Sequence, residues 1–263
     1  MVTLSASEVE RFVADGFVKI DHAFPRETAN LCRDIAWRQL GLSPDAPQTW
    51  TEPVLRLNLH APPPVREAAF SERLRGAFDQ LVGAGRWALP DSFGSTVVRF
   101  PSDKPPGDDG WHIDASIPPD NDAQSLDYFQ WRVNHVSRNR SMLVLFLFSD
   151  CGPDDAPTRV RIGSHLPMAR QLMKHGEAGI SLADLANEGF ESSADCEVAL
   201  ATGEAGTVWL LHPFTVHAAQ AHRGTRVRFL SQPGLGFREP AQLERTDGGY
   251  SPVEQAIKLG LGR

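Results

Sequence analysis

Gly206-Thr-Val-Trp-Leu-Leu-His-Pro-Phe-Thr-Val-His217, then Ala-Ala-Gln-Ala-His-Arg-Gly-Thr, then Arg226-Val-Arg228-Phe-Leu-Ser231 is the stretch on which the reading of this chain turns. Apolar runs flank a polar, glycine-containing break, the pattern of two adjacent antiparallel strands. Such a pair places His217 near the end of the first strand and Arg228 on the second. About a hundred residues upstream, Trp111-His112-Ile113-Asp114 carries an imidazole and a carboxylate two positions apart. In an extended strand both project to the same face and can grip one ion, with His217 as a third ligand. Two histidines and one carboxylate leave coordination positions open. That donor set suits non-haem Fe(II) that must also take a cosubstrate and dioxygen. His-x-Asp alone is a short pattern in a chain with 9 histidines, and the downstream stretch gives it weight.

Composition bounds the alternatives. A chain of 263 residues suits one large domain, and 41% hydrophobic residues allow a sizeable core. The 20 prolines and 22 glycines point to many turns and long loops rather than a helical bundle. A net charge of −7 argues against nucleic acid or an anionic membrane as the default partner. Cys32, Cys151 and Cys196 are too few and too scattered for a zinc site or a disulfide framework, which favours a reducing cytoplasm. No targeting leader and no apolar run long enough to span a bilayer is evident, so a cytoplasmic protein is expected.

Along the chain, Ser5 with Glu8 forms a capping-box pattern for a short helix ended by Asp15-Gly16. Phe17 to Ile20 reads as a strand and Pro25 to Leu40 as a helix with Pro25 in its first turn. The proline-rich residues 41–64, with Asn58, His60 and Pro62-Pro63-Pro64, read as a loop, and Pro64 to Val82 as one further helix. A β-rich part begins at Ser95 to Phe100, where β-branched residues cluster. Residues 101–110 form a loop that delivers Trp111 to Asp114. Met142 to Phe148 is a nearly continuous apolar strand, as expected for one buried on both faces. A helix is expected near 166–174, and Ser251-Pro252 with Glu254 opens another at about 251–261.

These features together resemble the phytanoyl-CoA dioxygenase family. The resemblance is carried by His112-x-Asp114, the Gly163-Ser164-His165 turn, the Gly-hydrophobic-His-Pro segment running to His217, and an arginine eleven positions beyond it. The opening helix and strand match as well, so the likeness spans roughly residues 3–232, patchily over 41–95 and 115–140. It implies a mainly β fold with flanking helices (α+β) around a double-stranded β-helix, a jelly-roll or cupin-like core. The whole chain is then a single domain, with an N-terminal helical portion of about 1–90 and a core of about 95–235.

The resemblance also implies Fe(II) held by His112, Asp114 and His217, with 2-oxoglutarate as cosubstrate and O2 as oxidant. It selects His217 over His212 as the ligand, and it makes His165 part of a structural turn. Arg226 and Arg228 share a face by parity, and either guanidinium could fork onto a carboxylate. The family spacing selects Arg228 for the distal carboxylate of 2-oxoglutarate. The chain departs from the family at His222, where an asparagine is common, and at Arg161, where a proline commonly precedes the turn. The implied activity is hydroxylation, or another oxidation, of a small organic molecule with release of succinate and CO2.

A halogenase of this fold would replace the carboxylate ligand by a small residue, and Asp114 argues against that. A non-redox cupin-like protein or isomerase is the remaining alternative. Arg99, Tyr128, Phe129, Trp131, Asn58 and His60 are the expected substrate-pocket residues, and residues 115–140 are a candidate lid.

Overall fold

The structure, a computed structural model, describes residues 3–120, 125 and 127–263. Asn121 and Asp122 of the candidate lid lie outside the described residues. The helices are α1 (Ala6–Asp15), α2 (Arg26–Leu40), α3 (Pro63–Ala69), α4 (Glu72–Val82), α5 (His165–Met173), α6 (Leu182–Glu188) and α7 (Pro252–Gly260). The strands begin with β1 (Phe17–Ile20), β2 (Val54–Asn58), β3 (Trp87–Ala88), β4 (Ser95–Arg99), β5 (Arg132–Val133) and β6 (Met142–Leu147). They continue with β7 (Arg159–Arg161), β8 (Ile180–Ser181), β9 (Val198–Leu200), β10 (Val208–Leu211), β11 (His217–Ala218), β12 (Arg228–Ser231) and β13 (Gly234–Phe237).

The major sheet runs β1-β10-β6-β12-β4-β2, with β13 beside β6 and β3, and a three-stranded sheet runs β11-β7-β9. Every named pairing is antiparallel. Strand β6 shows why the sheet is fully covered. Its Leu143, Leu145 and Leu147 join Val160, Ala201, Trp209 and Leu230 between the two sheets. Its Met142, Val144 and Phe146 enter the larger cluster formed with the helices, which includes Phe12, Phe24, Phe70 and Phe78. With period-two side chains, burying both faces requires a continuously apolar strand, which is what Met142 to Phe148 supplies. Each such leucine or phenylalanine contributes roughly 1.5–3 kcal/mol relative to leaving it in water.

Five local expectations are corrected. The 206–231 stretch is not a hairpin: β10 and β12 both pair with β6, which lies between them. His217 belongs instead to β11, paired with β7 in the smaller sheet. The polar break is therefore a crossing between sheets, a connection that local patterning cannot distinguish from a turn. The 41–64 loop contains β2, whose residues Leu55 and Leu57 pack on the main core.

The helix expected over 64–82 is two helices, α3 and α4, because Ser71 caps the second by accepting from the Leu74 N–H at 3.2 Å. Pro25 is the N-cap of α2 rather than a residue of its first turn. The N-terminal portion also contributes β1 and β2 to the major sheet, so its contribution is not solely helical. The capping boxes at Ser5/Glu8 and Ser251/Glu254 form as expected, and α7 packs against α1, α4 and α5.

Candidate metal centre

His112 and His217 are joined by the backbone. Each accepts the other's N–H, at 3.0 and 2.9 Å, so an isolated antiparallel bridge clamps the end of the 101–111 loop onto β11. Strand β7 reinforces this from the other side. The Arg159 and Arg161 guanidinium groups lie 4.7 and 4.3 Å from the Trp111 ring centroid. Arg159 also donates to the carbonyls of Asp109 and Ala219, at 2.7 and 2.8 Å. Arg161, in place of a proline, thus steadies the residue next to His112.

The Gly163-Ser164-His165 turn supports the same strand. Ser164 Oγ accepts the Val216 N–H at 2.9 Å and donates to the Arg161 carbonyl at 2.7 Å. His222 accepts the Gly224 N–H and donates to the Arg226 carbonyl, holding the turn that leads into β12.

The hydrogen bonds decide the tautomers. Nδ1 of His112 faces the Gly110 carbonyl and Nδ1 of His217 faces the Thr215 carbonyl, both at 3.0 Å. A carbonyl only accepts, so each Nδ1 carries the proton and each Nε2 keeps its lone pair for an ion. Ligand atoms of His112, Asp114 and His217 all lie within 4.8 Å of one another. Burial alone would raise the Asp114 carboxyl, but the Arg140 guanidinium, followed by the two imidazoles, outweighs it and holds the group below its ordinary range. Burial and the neighbouring His112 push His217 down to about 4, so its imidazole is neutral at physiological pH. Arg140 forms a 2.7 Å ion pair with Oδ2 of Asp114, leaving Oδ1 for coordination. Its other arm donates to the Ala115 carbonyl at 3.0 Å.

These side chains face a cavity of about 540 Å³ that also contains Arg228, Arg99, Tyr128 and Phe129. Arg228 is 2% exposed; it donates to the Ala156 carbonyl at 2.7 Å and leaves Nε without a partner. Burial, then the nearby Arg99, lowers it to about 9, the mark of a guanidinium short of counter-charge. Arg226 points elsewhere, to Asp155 at 2.7 Å, with its side chain 60% exposed. Although 226 and 228 have the same parity, β12 begins only at Arg228, so parity does not extend back to Arg226.

Three pocket expectations are not met, since Asn58, His60 and Trp131 do not line the cavity. Asn58 sits at the far end of β2, opposite Ser95, and its side chain accepts from Ser92. His60 is exposed beyond that strand. Trp131 turns its indole N–H to the Ser125 carbonyl and packs beside Tyr128.

The residues missed by sequence reasoning are Arg140, Arg56, Asp108 and Phe190. An arginine two positions before an all-apolar strand is a signal for Arg140, since a charge carried into that buried setting must be paired. The alternation Leu55-Arg56-Leu57-Asn58 is a signal that Arg56 faces away from the core, which here is toward the cavity mouth.

No protein-family model and no curated protein sequence matches the chain. Solved structures do resemble it. HygX from Streptomyces hygroscopicus, with nickel and 2-oxoglutarate bound, is 21% identical over 89% of this chain and 88% of that one, with a TM-score of 0.54. SnoK, a non-haem α-ketoglutarate-dependent carbocyclase from nogalamycin biosynthesis, is 16% identical over 94% and 91%, with a TM-score of 0.60. EctD from S. alaskensis, with 2-oxoglutarate and 5-hydroxyectoine, is 17% identical over 90% and 77%, with a TM-score of 0.58. At these identities the likeness is one of fold: sheet-rich, antiparallel and cupin-like, with flanking helices.

Proposed function

We propose that this protein is an Fe(II)- and 2-oxoglutarate-dependent oxygenase acting on a small organic molecule, and that it falls within the phytanoyl-CoA dioxygenase family. The observation that carries this reading is the convergence of two Nε2 atoms and one carboxylate oxygen beside a buried, under-compensated arginine in one cavity. A binding protein of the same fold has no need of that combination. The metals and 2-oxoglutarate held by HygX and EctD support it.

The donor set fits the ion, since two neutral imidazoles and a carboxylate suit Fe(II) and the cavity side stays open. Fe(II) with 2-oxoglutarate supplies dioxygen activation and the oxidising power. The chain's own residues bind and orient. His112, Asp114 and His217 would hold the ion, and Arg140 keeps Asp114 to one oxygen, which preserves open positions. Arg228 would take the distal carboxylate, and its depth in the cavity strengthens a charge-assisted pair. Trp111, Val97 and Phe190 in the cavity wall exclude water from the reacting centre.

The test is spectroscopic and needs no substrate. Under argon, Fe(II) and 2-oxoglutarate together should give a visible charge-transfer band that neither gives alone. Titration should show one metal site, and the band should vanish in Asp114→Ala. A protein that binds metal but shows no band and no affinity for 2-oxoglutarate would sink the reading.

A further inference from the structure

Three arginines line the cavity, and the cosubstrate needs only one. Arg99 stands opposite Arg228 in the β4–β12 register, and opposite residues of an antiparallel pair share a face. Arg56 stands opposite Val97, one cavity-facing step from Arg99. The three form a row from floor to mouth: Arg228 and Arg99 are 2% and 3% exposed, whereas the Arg56 side chain is 50% exposed. Against them, Asp108 alone among the described acidic lining residues is free to compensate, because Asp114 is already matched by Arg140. Asp108 is shared, bonding Arg99 at 2.7 Å and also pairing with Arg56. Arg99 still keeps Nε and Nη1 without partners although buried. A buried guanidinium with unmade hydrogen bonds is costly unless a ligand completes it.

We propose that Arg99, assisted by Arg56 at the mouth, is the docking site for an anionic group on the substrate, which is therefore an organic acid: a carboxylate or a phosphate monoester. The inference rests on the 2-oxoglutarate reading, in which the cosubstrate occupies Arg228. The rest of the substrate is apolar, because Tyr128, Phe129, Leu182, Ala186 and Phe190 contribute to the same cavity. Asp108 holds the two guanidinium groups in place and keeps the empty site from being a bare double cation. An acid seated there presents its carbon skeleton toward the His112–Asp114–His217 face. Anionic substrates are selected by this charge balance, and neutral amides of the same shape are not.

The experiment uses the full chain loaded with Zn(II) and 2-oxoglutarate, titrated by calorimetry or NMR with benzoate, with benzamide as the neutral counterpart, and with inorganic phosphate. Benzoate or phosphate should bind while benzamide does not, and whichever anion binds more tightly identifies the acid. Arg99→Gln should weaken anion binding by at least about tenfold, the scale of losing one arm of a desolvated charge pair, while 2-oxoglutarate affinity stays within about threefold. Arg56→Gln, at the exposed mouth and no threat to folding, should weaken the anion by a smaller factor, and Arg99→Lys should restore part of the loss.

Equal binding of anions and benzamide, or binding of none of them, overturns the inference. So does a loss of 2-oxoglutarate affinity in Arg99→Gln as large as that in Arg228→Gln, because Arg99 would then belong to the cosubstrate. Should Arg99→Gln fail to fold, unchanged anion affinity in Arg56→Gln overturns it too. Failure of the wild-type protein to bind 2-oxoglutarate would overturn the functional reading and this inference with it. Binding of 2-oxoglutarate without anion preference overturns this inference alone.

Discussion

Two pairs of histidines lie ring to ring in this molecule, and only one pair is built like a metal site. The centroids of His112 and His217 are 4.4 Å apart, and those of His165 and His212 are 4.9 Å apart. The first pair turns its two unprotonated Nε2 atoms toward Asp114 and an open cavity. In the second, His165 gives its Nε2 proton to the Val13 carbonyl. His212 accepts the Phe214 N–H at Nδ1 and faces the Val253 carbonyl at Nε2. That pair ties α1, the loop after β10 and α7 together, with no carboxylate among its partners. Proximity of imidazoles is common to both. What separates them is where the spare lone pairs point and whether an anion joins them.

The largest expected effect breaks the comparison if it fails. His217→Ala and Asp114→Ala should each abolish tight metal binding while the melting transition stays cooperative. His212→Ala should keep the metal and lose about 2–4 kcal/mol of stability, since it leaves a buried gap and the Phe214 N–H unpaired. Metal titration and thermal melts on the three variants decide it. Metal lost in His212→Ala but kept in His217→Ala would reverse the assignment.

Next in size is the arginine contrast in the same cavity. Arg228→Ala should weaken 2-oxoglutarate by about 2–5 kcal/mol, the cost of losing a charge-assisted pair in a shielded site. Arg226→Ala should change it little, because its guanidinium pairs with Asp155 and does not line the cavity. Isothermal titration with 2-oxoglutarate measures both, and equal losses would remove Arg228 from its role.

The buried pair also predicts a pH dependence. Burial pushes His165 down to about 4 and His212 well below its ordinary value. Both bind protons more readily in the unfolded chain, so their contribution is fully present above pH ~6.5 and is lost as pH falls toward the folded values. The slope approaches about 1.4 kcal/mol per pH unit for each histidine between those limits. Denaturant unfolding of the metal-free protein at pH 7, 6 and 5 should show this loss, and His165→Gln should flatten the slope by about one proton. An unchanged slope would mean that the seam takes up its protons without opening.

The legible part of this structure was the part governed by short-range rules. Parity placed His112 with Asp114, capping chemistry placed α1 and α7, and unbroken apolarity placed β6. What was not legible depends on which strands become neighbours. Nothing between Gly206 and Ser231 announces that β6, some sixty residues earlier, will lie between β10 and β12. Arg140 was invisible for the same reason, since its partner Asp114 is 26 positions away. The pocket guesses followed composition, and Trp131 shows its weakness: a large aromatic in a loop can as readily staple that loop as face a ligand.

The smallest expected effect concerns that loop. Tyr128 and Phe129 are adjacent, aromatic and 41% and 66% exposed, yet they hold different positions. The Tyr128 hydroxyl accepts the Ala115 N–H at 3.0 Å and donates to the Ala115 carbonyl at 2.8 Å, which tethers the loop to the residue after Asp114. Phe129 lies on the cavity rim, and its N–H donates to the Asp127 side chain. Tyr128→Phe should therefore cost about 1 kcal/mol of stability, speed protease cleavage around residues 125–130, and weaken metal binding by a few-fold through the loosened Asp114 segment. Phe129→Ala should stay within about 0.5 kcal/mol of wild type in melting and leave metal and 2-oxoglutarate affinities alone. Cleavage rates measured with and without metal and 2-oxoglutarate separate the two residues. If Phe129→Ala loosens the loop as much as Tyr128→Phe, packing rather than the hydroxyl tether holds it.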